Sequence, residues 1–121
     1  MRVLLVEDNK DTLATIAAIL RFEEYEVLTA PDGRMALEMA KLEPPDVVLL
    51  DIGLPGMDGY KVAQALRDLA TGRSLYIAAI SGYGTAADKQ RAADAGIDAH
   101  LTKPAPPSAI IDLLQSLRSK V

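Results

Sequence analysis

Residues 44–60 read PPDVVLLDIGLPGMDGY and predict the central element of the fold. Its centre, Val47 to Leu50, is a run of strongly apolar residues without polar alternation. Such a run is typical of a strand that is buried on both faces in a parallel sheet. The run leads into Asp51, so the sequence predicts a buried strand that carries a carboxylate at its end.

Four other β-rich runs accompany this one and alternate with segments in which apolar residues have helical spacing. The first, third and fourth runs are apolar on both faces, which predicts interior strands. The strict alternation predicts an α/β fold: a doubly wound (βα)5 chain in three layers, with helices on both faces of a five-stranded parallel sheet. The predicted strands are 2–7, 26–30, 46–50, 75–81 and 98–102.

Residues that favour helix starts precede the helical segments. Aspartate and threonine are good N-caps, and Thr85 is followed three residues later by Asp88, as in a capping box. Proline is tolerated at the first position of a helix, which suits the start of the last segment. The predicted starts are Asp11, Asp32, Asp58, Thr85 and the pair Pro106 and Pro107.

Length and composition narrow the function classes. The 121 residues fit one domain, 1–121, and the absence of cysteine excludes disulfides, thiol nucleophiles and cysteine-ligated metals. Acidic residues outnumber basic ones by 17 to 13, and the scattered lysines and arginines argue against direct nucleic-acid binding. No apolar run approaches the length of a membrane span, so we expect no membrane association and a cytoplasmic protein.

Polar side chains stand at the carboxyl ends of four predicted strands, the edge where such folds bind ligands. Any one of them can be an ordinary cap or loop residue. Together, three carboxylates that repel by about 4 kcal/mol per close pair require a compensating cation. Ligands that are all oxygen favour a hard ion such as Mg2+, with Mn2+ as a possible substitute. The residues are Glu7 and Asp8, Asp51, Ser81, and Lys103 with Pro104.

This set of groups suits phosphoryl chemistry. An aspartate attacks phosphorus to form an acyl phosphate when the negative charges of both partners are neutralised. Asp51 is the predicted nucleophile because it ends the most apolar, and therefore central, strand. Mg2+ on Glu7 and Asp8 would neutralise charge on one side and Lys103 on the other, while Ser81 would donate a hydrogen bond to a phosphoryl oxygen.

Four motifs together resemble the receiver domain of bacterial two-component response regulators, the CheY-like family. The resemblance covers essentially the whole chain and is most similar to the receivers of hybrid histidine kinases. It implies a flavodoxin-like sheet with the strand order 2-1-3-4-5 and a role in phosphorelay signalling as a regulatory phosphoacceptor rather than an enzyme. The motifs are LLVEDN at 4–9, VVLLDIGLPGMDGY at 47–60, ISGYG at 80–84 and AHLTKP at 99–104.

The resemblance also implies the role of each site residue. Asp51 is the phosphoacceptor, Ser81 the switch hydroxyl and Lys103 the phosphate-sensing lysine, and the peptide bond before Pro104 is cis. The implied phosphoryl donor is a phosphohistidine of a histidine kinase or histidine phosphotransfer protein. The implied ligands of Mg2+ are Glu7, Asp8, Asp51 and the backbone carbonyl of Gly53.

The sequence departs from the family pattern at the switch position, where the usual aromatic residue is His100, the single histidine of the chain. We expect His100 to fill the space beside Ser81 in one state and to point outward in the other. Because imidazole titrates near neutral pH, this balance is expected to depend on pH. The implied surface for a downstream target is the face of the fourth helix, fifth strand and fifth helix, and the alanine-rich fourth helix is expected to shift most easily.

Three other interpretations remain open on the residues alone. The run GYGTAA at 82–87 fits a dinucleotide fingerprint, but the next strand is followed by Lys103 instead of an acidic residue. A phosphatase of the haloacid-dehalogenase type also uses a strand-terminal aspartate with Mg2+, yet it needs a carboxylate two residues later, where this chain has Gly53. A degenerate receiver that serves only for docking would not retain the full set of site residues.

Overall fold

The computed structural model of the protein describes residues 1–53, 58–71, 73–82 and 85–119, in which strands and helices alternate. The strands are β1 (Arg2–Val6), β2 (Glu26–Ala30), β3 (Val47–Asp51), β4 (Tyr76–Ser81) and β5 (Ala99–Thr102). The helices are α1 (Lys10–Phe22), α2 (Gly33–Leu42), α3 (Gly59–Leu69), α4 (Ala86–Asp94) and α5 (Pro107–Arg118). The predicted element order is confirmed.

The five strands form one parallel sheet with the order β2-β1-β3-β4-β5, which confirms the doubly wound topology. The strands predicted to be interior, β1, β3 and β4, occupy the three central places. Every residue of β3 is buried, as its unbroken apolar run predicts. Asp51 belongs to the strand itself and lies in register with Ile80 of β4.

Two apolar cores lie on the two faces of the sheet. On one face, α2, α3 and α4 pack against side chains such as Val48 and Leu50. On the other face, α1 and α5 pack against the alternate residues of the same strands, including Leu5 and Leu49. Successive side chains along each strand therefore point into opposite cores, which gives the predicted three layers.

The helix starts follow the predicted caps with one exception. Asp32, Asp58 and Thr85 cap α2, α3 and α4, and Pro107 is the first residue of α5. The prediction that Asp11 starts α1 is wrong. Asn9 is the N-cap, and its side chain accepts a hydrogen bond from the backbone N–H of Thr12 at 3.0 Å, which leaves Asp11 inside the first turn. A carboxylate in that turn is still favoured by the positive end of the helix dipole.

Strand boundaries differ from the prediction by about one residue, and one difference bears on the site. β1 ends at Val6 instead of residue 7, so Glu7 and Asp8 both follow the strand. Residues 83 and 84 of the loop after Ser81 lie outside the described part of the chain. Among the described helices, none is both long and apolar enough to cross a membrane.

Candidate functional site

Asp51 is the centre of the candidate site. It ends the central strand β3 and is only 3% exposed, so its carboxylate is fixed in position and largely shielded from water. One carboxylate oxygen, Oδ2, lies 2.9 Å from the Nζ of Lys103. The other, Oδ1, accepts a hydrogen bond of 2.9 Å from the backbone N–H of Gly53. The carboxylate is therefore oriented by one cation and one amide.

Glu7, Asp8 and Asp51 bring three carboxylates together as predicted. One oxygen from each residue lies within 4.8 Å of the others, close enough for a single ion to contact all three. Asp8 is exposed, Glu7 is half-buried and Asp51 is buried, so the cluster opens to solvent on one side. Carboxylate oxygens are the ligands that Mg2+ prefers, and an open side leaves room for its water ligands. The donor set therefore fits Mg2+.

The titration behaviour of the cluster reflects its crowded charge. Burial, and then a hydrogen bond to Asp51 and the charge of Asp51, raise the pKa of Glu7 from 4.5 to about 7. Burial alone would also raise the pKa of Asp51, but hydrogen bonds from Glu7, Lys103 and Gly53 outweigh burial and lower it. In the absence of a metal, a proton on Glu7 thus relieves part of the repulsion that a divalent cation would otherwise offset.

Lys103 reaches Asp51 from the loop that follows β5. Its backbone N–H donates to the backbone carbonyl of Ser81 at 2.7 Å, which ties the start of this loop to the end of β4. The peptide bond between Lys103 and Pro104 is cis, the isomer that the family resemblance implies. Burial alone would lower the pKa of Lys103, but the hydrogen bond and charge of Asp51 raise it, so the side chain is a stable cation at the site.

Ser81 and His100 meet at the adjacent edge of the site. Ser81 is the last residue of β4 and is 2% exposed. Its Oγ lies 3.2 Å from the Nε2 of His100, which stands beside Ala79 on the edge strand β5. The imidazole is half-buried, and its Nδ1 is buried without a hydrogen-bond partner among the described residues.

Helix α4 begins close to this edge and is weakly packed, as its composition predicts. Ala92 is its only buried residue. A complete capping box between Thr85 and Asp88 fixes its first turn. Arg91 pairs with Asp58 at 3.4 Å and lies 4.3 Å above the ring of Tyr60, which links α4 to the start of α3.

The role of Arg67, which contacts the turn after the C-terminal end of α4, is not predicted by the sequence. The guanidinium of Arg67, on α3, donates to the backbone carbonyls of Leu75 and Gly96 and to the carboxylate of Asp98. Asp98 also accepts the backbone N–H of Ile77 at 2.8 Å. Arg67 therefore joins α3, the start of β4 and the turn between α4 and β5. No local pattern signals this contact, because Gly96 and Asp98 are about 30 residues away in the chain.

Comparison with known proteins supports the resemblance to receiver domains. A family model described as "Response regulator receiver domain" matches residues 3–115. The chain is 39% identical to the response regulator PleD of Caulobacter vibrioides over 103 residues, which are 85% of this chain and 23% of that protein. The chain therefore spans less than a quarter of this curated relative.

Two solved structures match nearly the whole chain. The chemotaxis protein CheY4 of Vibrio cholerae has a TM-score of 0.88 and 30% identity, with 95% of this chain and 96% of that chain covered. A CheY-like receiver domain protein from Methanospirillum hungatei JF-1 has a TM-score of 0.84 and 31% identity, with 98% and 91% covered. These matches confirm the predicted flavodoxin-like fold.

Receiver domains of this family are regulatory, bind Mg2+ and work with histidine kinases or histidine phosphotransfer proteins in two-component signalling. The family match, the strand order and the acidic cluster at the end of the central strands agree with one another. The chain belongs to the response regulator receiver domain family.

Proposed function

We propose that residues 1–121 act as one receiver domain whose phosphoacceptor is Asp51. The observation that carries this proposal is the environment of the Asp51 carboxylate: it is buried at the end of the central strand, shares an acidic cluster with Glu7 and Asp8, and contacts Lys103 at 2.9 Å. A carboxylate in this position is a fixed nucleophile with its charge partly compensated.

The proposed reaction transfers a phosphoryl group from the phosphohistidine of a histidine kinase or phosphotransfer protein. An oxygen of Asp51 attacks phosphorus, a P–O bond forms, and the P–N bond to the donor imidazole breaks. The departing imidazole keeps the electron pair of that bond and is protonated. The product is an acyl phosphate. The Nζ of Lys103, which donates to Asp51 Oδ2 before the reaction, then donates to an oxygen of the new phosphoryl group.

The proposed metal site consists of the carboxylates of Glu7, Asp8 and Asp51 and the backbone carbonyl of Gly53. Bound Mg2+, or Mn2+ in its place, supplies positive charge that lets an anionic carboxylate approach an anionic phosphoryl group. Glu7 would hold the ion as a carboxylate, so the proton that its pKa of about 7 partly retains near neutral pH would have to leave when the ion binds.

The proposed output begins at Ser81, whose hydroxyl donates to a phosphoryl oxygen on Asp51. Ser81 leads into the loop that starts α4, the least buried helix of this face of the sheet. A shift of Ser81 towards the phosphoryl group moves α4 and changes the surface formed by α4, β5 and α5, where the downstream target binds. The target itself is a macromolecule whose binding depends on this surface, and the acidic composition gives no reason to expect nucleic acid.

A phosphatase of the haloacid-dehalogenase type has less support. Its acid/base carboxylate would stand at residue 53, but Gly53 has no side chain, and a Cβ there would lie 3.4 Å from Asp51 Oδ1. Without an acid/base group at that position, the acyl phosphate lasts long enough to act as a signal. We therefore expect one phosphoryl group per chain, with slow hydrolysis instead of repeated turnover.

The test is phosphorylation by acetyl phosphate with Mg2+, read by intact mass spectrometry. We expect the wild type to gain one phosphoryl group, and we expect chelation of the metal or the substitution Asp51→Asn to abolish the gain. Asp46→Asn is a matched control because Asp46 lies just before the other end of β3 and its oxygen can be replaced by the amide oxygen in the contact with Arg2. Wild-type labelling of the Asp51→Asn protein would show that the acceptor is another residue.

A further inference from the structure

We propose that His100 is a positioning residue for the phosphorylated state: its neutral ring donates the Nε2–H to Ser81 Oγ and so leaves the Ser81 hydroxyl proton for a phosphoryl oxygen. This inference rests on the proposed role of Asp51 as phosphoacceptor and deepens it. It assigns His100 a specific hydrogen bond and protonation state, in addition to the expected role of filling the space beside Ser81.

The first observation is the fixed geometry between the two residues. Ser81 Oγ and His100 Nε2 are 3.2 Å apart, within hydrogen-bond distance. Both residues lie on paired strands: Ala79 is in register with His100, and Ser81 with Thr102. Ser81 is also nearly inaccessible to water. The backbone therefore holds hydroxyl and imidazole together.

The second observation is the state of the other ring nitrogen. His100 Nδ1 is buried and has no hydrogen-bond partner among the residues that the structure describes. A neutral imidazole carries one N–H, and a buried N–H without an acceptor is rarer and more costly than an unpaired lone pair. The proton of the neutral ring therefore belongs on Nε2, where Ser81 Oγ accepts it.

The direction of this hydrogen bond has a consequence for the phosphorylated site. A serine hydroxyl has one proton to donate and two lone pairs with which to accept. Because Ser81 accepts from His100, its single proton is not used in this contact. The opposite tautomer would draw that proton to the ring and leave the hydroxyl unable to donate to a phosphoryl oxygen. His100 thus orients the hydroxyl in the sense that phosphoryl binding requires.

Protonation of the ring would disturb this arrangement. A charged imidazole donates from both nitrogens, and its Nδ1–H would be buried without an acceptor. The inward position of His100 is then disfavoured, and Ser81 loses its donor. None of the described carboxylates forms an ion pair with the ring to offset this cost. Besides Lys103 after β5, the charged or titratable groups of the two nearest helices packed on this face are Tyr60, Lys61, Arg67 and Asp68 of α3 and Asp88, Lys89, Arg91 and Asp94 of α4.

The test measures the affinity of the whole chain for beryllofluoride, a phosphoryl analogue, with saturating Mg2+. His100→Phe keeps a ring but removes the donor, and we expect its affinity to fall about two- to tenfold, the range for one hydrogen bond. His100→Gln places an amide N–H near the position of Nε2, and we expect its affinity to stay close to the wild type. A fall in pH from about 8 to about 5.5 should weaken the wild type relative to His100→Gln, because only the wild type can charge this side chain.

The comparison between variants separates the effect of His100 on the affinity from the effects of other titrating groups. Glu7 and the rest of the metal site are common to all three proteins, so their pH dependence cancels in the ratio of affinities. Equal affinity of the wild type and His100→Phe, or an identical pH dependence of the wild type and His100→Gln, would overturn the role of His100. Failure of the wild type itself to bind beryllofluoride with Mg2+ would instead overturn the proposed phosphoacceptor site.

A second measurement needs no variant. His100 is the single histidine, so the ring nitrogen signals of the wild type in an NMR spectrum report on this residue alone. We expect the nitrogen chemical shifts of the neutral ring, recorded at the alkaline end of a pH titration, to be those of the tautomer with the proton on Nε2. A spectrum dominated by the tautomer with the proton on Nδ1 would contradict the proposed direction of the hydrogen bond even if the variants do not fold.

Discussion

Helices α3 and α4 pack on the same face of the sheet, and each follows a strand that ends at the candidate site, yet they are held very differently. α3 follows the strand of Asp51 and buries Val62, Ala63 and Leu66. α4 follows the strand of Ser81 and buries only Ala92. Burial of a large aliphatic side chain stabilises by about 1.5–3 kcal/mol, whereas an alanine contributes much less. The helix after the strand of Asp51 is thus anchored by large aliphatic side chains, and we expect the helix after the strand of Ser81 to shift at a lower free-energy cost.

The polar contacts of α4 refine this contrast. Arg67 holds the turn at its C-terminal end through Gly96 and Asp98. Arg91, in the last turn of α4, forms a longer and more exposed link to Asp58 at the start of α3, with 62% of the Arg91 side chain accessible. Both links therefore act on the C-terminal half of α4, whereas the described side-chain hydrogen bonds of its first turn stay within the capping box of Thr85 and Asp88. We expect α4 to pivot about its C-terminal end when Ser81 moves.

The largest predicted effect comes from removing the packing of α3. Leu66→Ala should lower the free energy of unfolding by about 2–5 kcal/mol because it leaves a cavity in the core. The matched change in α4, Ala92→Gly, should cost only about 1 kcal/mol, mainly through helix propensity. Urea unfolding of both variants measures the difference. Similar losses in the two variants would remove the contrast between the helices.

A smaller effect is expected from Arg67 and Arg91, the two arginines that link α3 to the region of α4. Arg67→Met should lower the free energy of unfolding by about 1.5–3 kcal/mol because two partly buried carbonyls and Asp98 lose a charged donor. Arg91→Met should cost about 0.5 kcal/mol because its ion pair and ring contact are exposed. Thermal or urea unfolding can compare the two. An equal cost for Arg91→Met would contradict the expectation that the Arg67 link is the stronger of the two.

A third prediction concerns the acidic cluster at the ends of β1 and β3, where the crowding of negative charge opposes folding. The pKa of Glu7 is raised to about 7 in the folded protein, so the penalty is absent below the ordinary value of 4.5 and complete above about 7. Stability without metal should therefore fall as the pH rises through this range. Glu7→Gln should stabilise the metal-free protein by about 1 kcal/mol near pH 8, a value reduced for the solvent exposure of Glu7.

Urea unfolding at about pH 8 and about pH 5.5, without divalent ions, tests this sign. The gain from Glu7→Gln should shrink at the lower pH. Glu38→Gln, a change on the exposed face of α2, serves as the control and should have little effect at either pH. Added Mg2+ should stabilise the wild type and do so less in Glu7→Gln. A gain that grows towards acid would refute the electrostatic penalty.

The sequence predicts the sheet and the strand-end residues well because both depend on local patterns. Unbroken apolar runs identify β1, β3 and β4 as interior strands, and the topology then brings Asp51 to the same edge as Glu7. The predicted start of α1 is wrong because Asn9 and Asp11 are both residue types that cap helices well. Only the hydrogen bond with the backbone of Thr12 in the folded chain identifies Asn9 as the cap.

Contacts between distant residues could not be predicted in this way. The hydrogen bond from Arg67 to the Gly96 carbonyl depends on how α3 packs beside the turn after α4, and no periodic pattern in the sequence indicates it. His100 was predicted to lie beside Ser81, but the exact nitrogen that faces the hydroxyl, and the burial of the other nitrogen, depend on side-chain placement. Such details decide the direction of a hydrogen bond, which a sequence pattern does not contain.

The last and smallest predicted effect is a difference in the rates of backbone amide exchange between α3 and α4, measured on the protein without any substitution. Backbone amides of α4 should exchange with solvent faster than those of α3, because a helix with one buried alanine opens locally at lower free energy. At the proposed site, Mg2+ alone would bind at the ends of β1 and β3 and should leave exchange in α4 nearly unchanged. Beryllofluoride with Mg2+ would, by the same proposal, engage Ser81 and should change exchange in α4 by about two- to fivefold while α3 stays constant. Hydrogen exchange measured by mass spectrometry resolves the two helices, and a change of equal size in both would mean that the signal does not leave the site through α4.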